Sequence, residues 1–193
     1  MFINFWYPAG RSTDIIGTPV RRRMLAQDFV LWRDGTGQAH CLANTCIHRG
    51  ASLADGKVRD GEVQCPYHGW RFAGDGRCTA IPSLGKHARI PGRARVDAYP
   101  VKEKYGLVFV FLGDLPEEQR CPIMEIAEYR GDQPDPGWRA TIQHFEWDID
   151  YQRSIENGLD GAHNEFVHPT HGYSGNRDDI RIAVEDYAIV NTD

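Results

Sequence analysis

The chain has 193 residues, of which 41% are hydrophobic and 25% charged, with a net charge of −5. These values are ordinary for one globular domain or two small ones. The acidic balance speaks against nucleic acid as a default partner, and no apolar run approaches the ~18 residues that a membrane-spanning helix needs.

Residues 1–10 are apolar but contain Pro8 and lack the basic start of a signal peptide, so they read as a first strand or docking segment. From about residue 20 to 113 the chain reads as short strands broken by Gly and Asp turns. Phe29-Val30-Leu31-Trp32-Arg33 predicts a buried strand and Asp34-Gly35-Thr36-Gly37 a hairpin turn. Residues 38–43 predict another strand, Glu62-Val63-Gln64 and Trp70-Arg71-Phe72 two more, and Ala73-Gly74-Asp75-Gly76 a turn. Leu107 to Phe111 predicts an apolar closing strand. Residues 116–137, with Pro116, Pro122, Pro134 and Pro136, read as a linker. A second part, 138–193, predicts a strand from Trp138 to Trp147, a helix from Asp148 to about Leu159, a loop bracketed by Gly161 and Pro169, and a strand from Ile180 to Val190. The expected domains are therefore 1–115 and 138–193.

Two short pairs carry the chemistry, Cys46-Ile47-His48 and Cys65-Pro66-Tyr67-His68, with sixteen residues between them. Each is followed by a glycine, Gly50 or Gly69. Two thiolates and two imidazoles are the donor set of a Rieske [2Fe–2S] cluster. The same four groups could hold zinc, although zinc sites favour pairs of the C-x2-C and H-x3-H kind. In ligand order, spacing and flanking residues the pairs resemble the Rieske family. That resemblance implies Cys46, His48, Cys65 and His68 as cluster ligands. Ala51 and Tyr67 stand where respiratory-chain members carry an extra, disulfide-forming cysteine, which points to the low-potential branch of ferredoxins and oxygenases. Tyr67 is expected either to hydrogen-bond the cluster or to pack under its loop. The remaining Cys41, Cys78 and Cys121 read as small buried hydrophobes, and an odd cysteine count beside an iron–sulfur site fits a reducing, cytoplasmic setting.

A second constellation, Asp160-x2-His163-x4-His168, lies downstream. Two His and a carboxylate on one face hold iron in non-haem oxygenases. Alone the pattern is weak, because His near a helix end is often polar packing. Following the cluster pairs, it makes the whole chain resemble the large (alpha) subunit of Rieske non-haem iron aromatic ring-hydroxylating oxygenases. The resemblance implies a mainly β fold, with a small antiparallel cluster domain followed by the start of an α+β, helix-grip-like catalytic domain. It implies mononuclear Fe(II) on His163 and His168, with Asn157 beside the open iron face. Asp160 would bridge His163 to His68 of a neighbouring chain in a homotrimeric ring. The third ligand, an Asp, is expected beyond residue 193. Asp178, Asp179, Glu185 and Asp186 lack its context, so the chain reads as the N-terminal part of a longer enzyme.

Electrons would come from an NAD(P)H-dependent reductase, directly or through a ferredoxin, for attack by O2 on an aromatic or similar small organic molecule. Phe5-Trp6-Tyr7-Pro8 and Lys104-Tyr105-Gly106-Leu107-Val108 resemble the homotrimeric vanillate and dicamba demethylase branch. Arg49 and Arg71 either steer an acidic redox partner or pair with local acids, and Trp70 is expected to shield the cluster. His40, His87, His144 and His171 have no motif context. Two readings compete: a Rieske ferredoxin-type electron carrier without oxygenase activity, and a zinc-stabilised interaction module. Residues 138–193 separate the first from an oxygenase, because a carrier has no use for the His pair.

Overall fold

The computed structural model of the protein describes residues 3–161 and 163–168. The expected strand at Ile180–Val190, the acidic candidates Asp178, Asp179, Glu185 and Asp186, and His171 lie outside the described residues. The chain divides into two units, residues 1–142 and 143–193.

The first unit is made of antiparallel sheets. A central one runs β2 (Val20–Met24), β3 (Gln27–Arg33), β4 (Ala39–Ala43) and β9 (Ala98–Tyr99), in that order. A second comprises β1 (Phe5–Arg11), β11 (Leu107–Leu112) and β10 (Val101–Lys104). A third comprises β5 (Lys57–Arg59), β6 (Glu62–Gln64), β7 (Arg71–Phe72) and β8 (Cys78–Ala80). Strand β3 ties them together, because its successive side chains point to opposite faces. Phe29 and Leu31 join a core with Ile15, Cys41, Val108 and Val110. Val30 and Trp32 join another with Leu42, Val63, Phe72 and both motif cysteines, Cys46 and Cys65. Burial on both faces is why the sequence reads Phe-Val-Leu-Trp with no polar alternation. Each such side chain contributes about 1.5–3 kcal/mol on removal from water.

The predicted hairpin at Asp34–Gly37 is present, with Gly37 N–H donating to the Asp34 carbonyl at 3.1 Å. Asp34 Oδ1 accepts from the Thr36 N–H, the Thr36 hydroxyl and the Gln38 N–H. Its Oδ2 lies 2.8 Å from His40 Nε2. His40, without motif context in the sequence, thus belongs to the scaffold.

Residues 116–137, expected as a linker, are fastened to the first unit. Trp6 Nε1 donates to the Cys121 carbonyl at 2.8 Å. The buried Tyr105 hydroxyl accepts from Ile126 N–H at 3.0 Å and donates to the Met124 carbonyl at 3.2 Å. A short hairpin, β12 (Tyr129–Arg130) with β13 (Gln133–Pro134), lies within the segment. Proline content signalled irregular backbone correctly, but side chains distant in sequence bind that backbone. Cys41 and Cys78 are buried as expected; Cys121 is only half-buried, its Sγ 3.7 Å from the Asn4 carbonyl.

The strand expected at 138–147 is absent: these residues are irregular, and Trp138, Phe145 and Trp147 are exposed. A lone strand leaves its N–H and C=O groups unpaired, and no described strand runs beside this stretch. Helix α1 (Tyr151–Leu159) starts later than expected because Asp150 caps it, accepting from Gln152 N–H at 2.9 Å. A four-residue helix, α2 (Asn164–Val167), follows. No helix among the described residues is long and apolar enough to cross a membrane.

Candidate metal centres

The two Cys-His loops fold into the same turn. Cys46 N–H donates to the Ala51 carbonyl at 2.8 Å and Gly50 N–H to the Cys46 carbonyl at 2.9 Å. In the second loop Cys65 N–H donates to Trp70 O at 2.8 Å and Gly69 N–H to Cys65 O at 3.1 Å. Each glycine closes its turn in the left-handed region, with φ of 74° at Gly50 and 72° at Gly69, where a side chain is strained. The histidine sits two residues after the cysteine in one loop and three in the other. That one-residue offset is the unequal spacing seen in the sequence.

The turns bring all four expected ligands together in two pairs. Cys46 and Cys65 are buried, and their sulfur atoms lie within hydrogen-bonding reach of each other. The His48 and His68 rings meet edge to face with centroids 4.5 Å apart. Burial pushes the Cys46 thiol up, and the neighbouring Cys65 adds to this; backbone N–H groups of His48 and Arg49 donate to its sulfur and pull the other way. Those donors favour a thiolate, the form that binds metal. Partial burial, then the charges of His68 and Arg49, hold His48 below the ordinary imidazole value.

Nowhere among the described residues do three or more His, Cys, Asp or Glu groups gather as ligands of one metal ion. A [2Fe–2S] cluster needs two thiolates on one iron and two imidazoles on the other. Paired thiols beside paired imidazoles fit the cluster.

Trp70 stacks on His48, ring centroids 4.6 Å apart and planes 5° from parallel, and covers one face of that ring. Tyr67 does not pack under its loop: it is 63% exposed and lies against His68 with centroids 3.9 Å apart. Arg71 is held by Asp60 at 2.9 Å and Glu62 at 3.7 Å, the local-acid alternative. Arg49 is exposed and makes no ion pair among the described residues. Sequence reasoning missed Asn44, which is 4% exposed. Its Oδ1 accepts from Ala54 N–H at 2.8 Å and its Nδ2 donates to Ser52 Oγ at 3.1 Å, joining the arms of the first loop. A polar residue in the buried run leading into Cys46 was the available signal.

In the second unit, α1 carries Asn157 on its exposed surface and ends at Asp160, whose N–H donates to the Glu156 carbonyl at 3.0 Å. The next turn sets His163 at the start of α2 and His168 at its end, ring centroids 5.2 Å apart. His163 Nδ1 is buried without a hydrogen-bond partner. Asp160 Oδ2 stands 3.7 Å from it, just beyond hydrogen-bond length. Two imidazoles side by side, one with a carboxylate beyond its Nδ1, fit a histidine-ligated metal with an orienting acid. A third donor is not among the described residues.

Residues 5–100 match the family model of the Rieske [2Fe–2S] domain. Over 169 residues the chain is 34% identical to the oxygenase subunit of 3-chlorobenzoate-3,4-dioxygenase from Comamonas testosteroni, covering 85% of this chain and 37% of that one. It is 39% identical over 171 residues to the 4β-methylsterol monooxygenase of Methylococcus capsulatus, covering 86% and 44%. Among solved structures, dicamba monooxygenase bound to 3,6-dichlorosalicylic acid superposes with a TM-score of 0.73 at 30% identity, covering 86% of this chain and 47% of that one. The chain spans less than half the length of each of these relatives.

Proposed function

Because the chain belongs to the Rieske non-haem iron oxygenase family, as its cluster domain and its relatives establish, we propose that it supplies the cluster and two iron ligands of a terminal oxygenase acting on an aromatic or similar small organic molecule. One observation carries this over the electron-carrier alternative. The same chain that holds the Cys-His loops also sets His163 and His168 side by side next to Asp160.

When bound, the cluster supplies single electrons, and the mononuclear iron supplies the site at which O2 becomes reactive toward an organic molecule. Cys46 and Cys65 would hold one iron of the cluster and His48 and His68 the other. The His48 and Arg49 N–H groups stabilise charge on Cys46 sulfur. Trp70 excludes water from one face of His48, whereas His68 keeps an exposed edge. In the second unit, Asp160 Oδ2, 3.7 Å from His163 Nδ1, would orient that ring by closing to hydrogen-bond length, leaving Nε2 for iron. Asn157 offers an amide on the same helix that ends at Asp160.

Asp160 would also join His163 to His68 of a neighbouring chain, which makes a homotrimeric ring the working assembly. Electrons would reach the cluster from an NAD(P)H-dependent reductase, with or without a ferredoxin, in the cytoplasm. Resemblance to dicamba monooxygenase favours demethylation or monohydroxylation of a substituted aromatic acid. The test is oxygen uptake by the full-length protein with NADH and a reductase, screened over aromatic acids and their methyl ethers. Substrate-dependent uptake matched by product supports the oxygenase. Cluster reduction and reoxidation with no product from any of them supports the carrier.

A further inference from the structure

We propose that Gln64 is a positioning residue for the imidazole end of the cluster: it clamps the Gly69–Trp70 peptide, and through that peptide it sets both the His68 ligand and the Trp70 ring that covers His48. The inference rests on the oxygenase reading and adds to it the residue that orients the second Cys-His loop.

Gln64 ends β6, and its backbone is fixed from both sides. It pairs with Lys57 of β5 and Arg71 of β7, and its carbonyl lies so close to Gly56 that a Cβ there would collide with it. From this fixed base Nε2 donates to the Gly69 carbonyl at 3.3 Å. The other half of the carboxamide, Oε1, is buried without a hydrogen-bond partner. A buried acceptor left unpaired is costly. Turning the group over would set Oε1 against the Gly69 carbonyl oxygen, acceptor on acceptor. The carboxamide is therefore held by its donor end, in one orientation. The first loop is braced differently, by Asn44 on Ser52 and Ala54, which lie beyond its turn.

Gly69 follows His68 and precedes Trp70. Its N–H donates to the Cys65 carbonyl at 3.1 Å, so with the Gln64 bond both of its polar groups are taken. His68 is exposed, with Tyr67 and His48 as its ring neighbours. Side-chain packing therefore does little to orient it, and the backbone must. Trp70, on the other side of the clamped peptide, lies flat on His48 with planes 5° apart. A ligand ring has to aim a nitrogen lone pair at its metal, and the groups behind it that fix this direction tune the centre. One hydrogen bond thus bears on both imidazoles, directly through the chain for His68 and through the covering ring for His48.

The experiment uses the full-length protein with its cluster bound. Gln64→Met keeps the reach of the side chain but removes the donor, and Gln64→Lys presents a donor again. Thr45→Val, at the matching position before Cys46, is the control. The readouts are acid-labile sulfide per chain, the two imidazole-nitrogen couplings of the reduced cluster by electron spin-echo spectroscopy, and single-turnover transfer from the reduced cluster to the mononuclear iron. Gln64→Met should keep its sulfide, change the nitrogen couplings and slow transfer by roughly two- to tenfold, the weight of one hydrogen bond. Gln64→Lys and Thr45→Val should match the parent. Parental couplings in Gln64→Met overturn the proposal while leaving the oxygenase reading intact, and so does an equal change in Thr45→Val. If Gln64→Met loses its sulfide, Gln64→Lys decides: parental sulfide and couplings there support the donor role, and their loss shows that side-chain packing is what the loop needs and overturns it. A parent without acid-labile sulfide overturns the oxygenase reading, and the positioning role with it.

Discussion

His48 and His68 stand edge to face with ring centroids 4.5 Å apart, although sequence separates them by a strand pair and two turns. Their cysteines are buried behind them in the core that Val30 and Trp32 of the central strand also enter. The imidazole end, with His68 exposed and His48 half-buried, therefore lies nearer solvent than the buried thiols.

Replacing His68 with Cys tests the assignment of imidazoles. The variant should keep a cluster, now with three thiolates, whose potential falls toward the about −400 mV of all-cysteine ferredoxins. Redox titration followed by electron paramagnetic resonance reads this directly. An unchanged Rieske signal and potential would remove His68 from the ligand set.

Asp160→Asn tests the bridging acid. Both metal sites should still load, because the variant keeps all of the proposed ligands. Electron transfer from the reduced cluster to iron should slow by at least tenfold, since second-sphere carboxylates typically matter by 10- to 100-fold. Single-turnover kinetics on the full-length assembly provide the readout, and full multiple-turnover activity would exclude the role.

Gly69→Ala probes the second turn. Alanine must adopt a φ of 72° there and approach Gln64 Nε2 and Pro82 Cγ at 3.1 Å. The left-handed conformation alone costs about 1–2 kcal/mol. Cluster content per chain and melting temperature should both fall. Gly35→Ala meets nothing within 4 Å at a turn without that strain and serves as the control.

Acid stability should depend on Asp34. The hydrogen bond to His40, then those from Thr36, hold its carboxyl well below the usual carboxylate range despite the opposing effect of burial. Its folded-state value lies below the unfolded value of about 3.9. The unfolded chain then binds more protons in the window below pH ~4, so stability contributed by Asp34 is present above that pH and is lost as pH falls. Asp34→Asn should lower stability at neutral pH and flatten the fall below pH 4 in denaturant titrations. An Asn variant with the parent's pH profile would remove Asp34 from that linkage.

What the sequence made legible was local. The two Cys-His loops are five-residue turns whose cysteine, histidine, glycine and hydrogen bonds lie within a few positions of one another, so ligand order, spacing and flanking residues picked them out. The Phe29–Trp32 strand was legible because burial on both faces leaves an unbroken apolar run. The behaviour of 116–137 was not, because what fixes it is Tyr105 and Trp6, distant in sequence and giving no periodic signal. Trp138–Trp147 has the alternation of a strand, but a strand also needs a neighbour, and no local pattern encodes one.

The most direct test of the central claim is the iron, acid-labile sulfide and zinc content per chain of full-length protein purified without oxygen. Cluster and mononuclear iron together predict three irons to two sulfides, with no zinc. Zinc bound without sulfide would contradict the account, because the same four Cys and His side chains would then be holding a single structural ion.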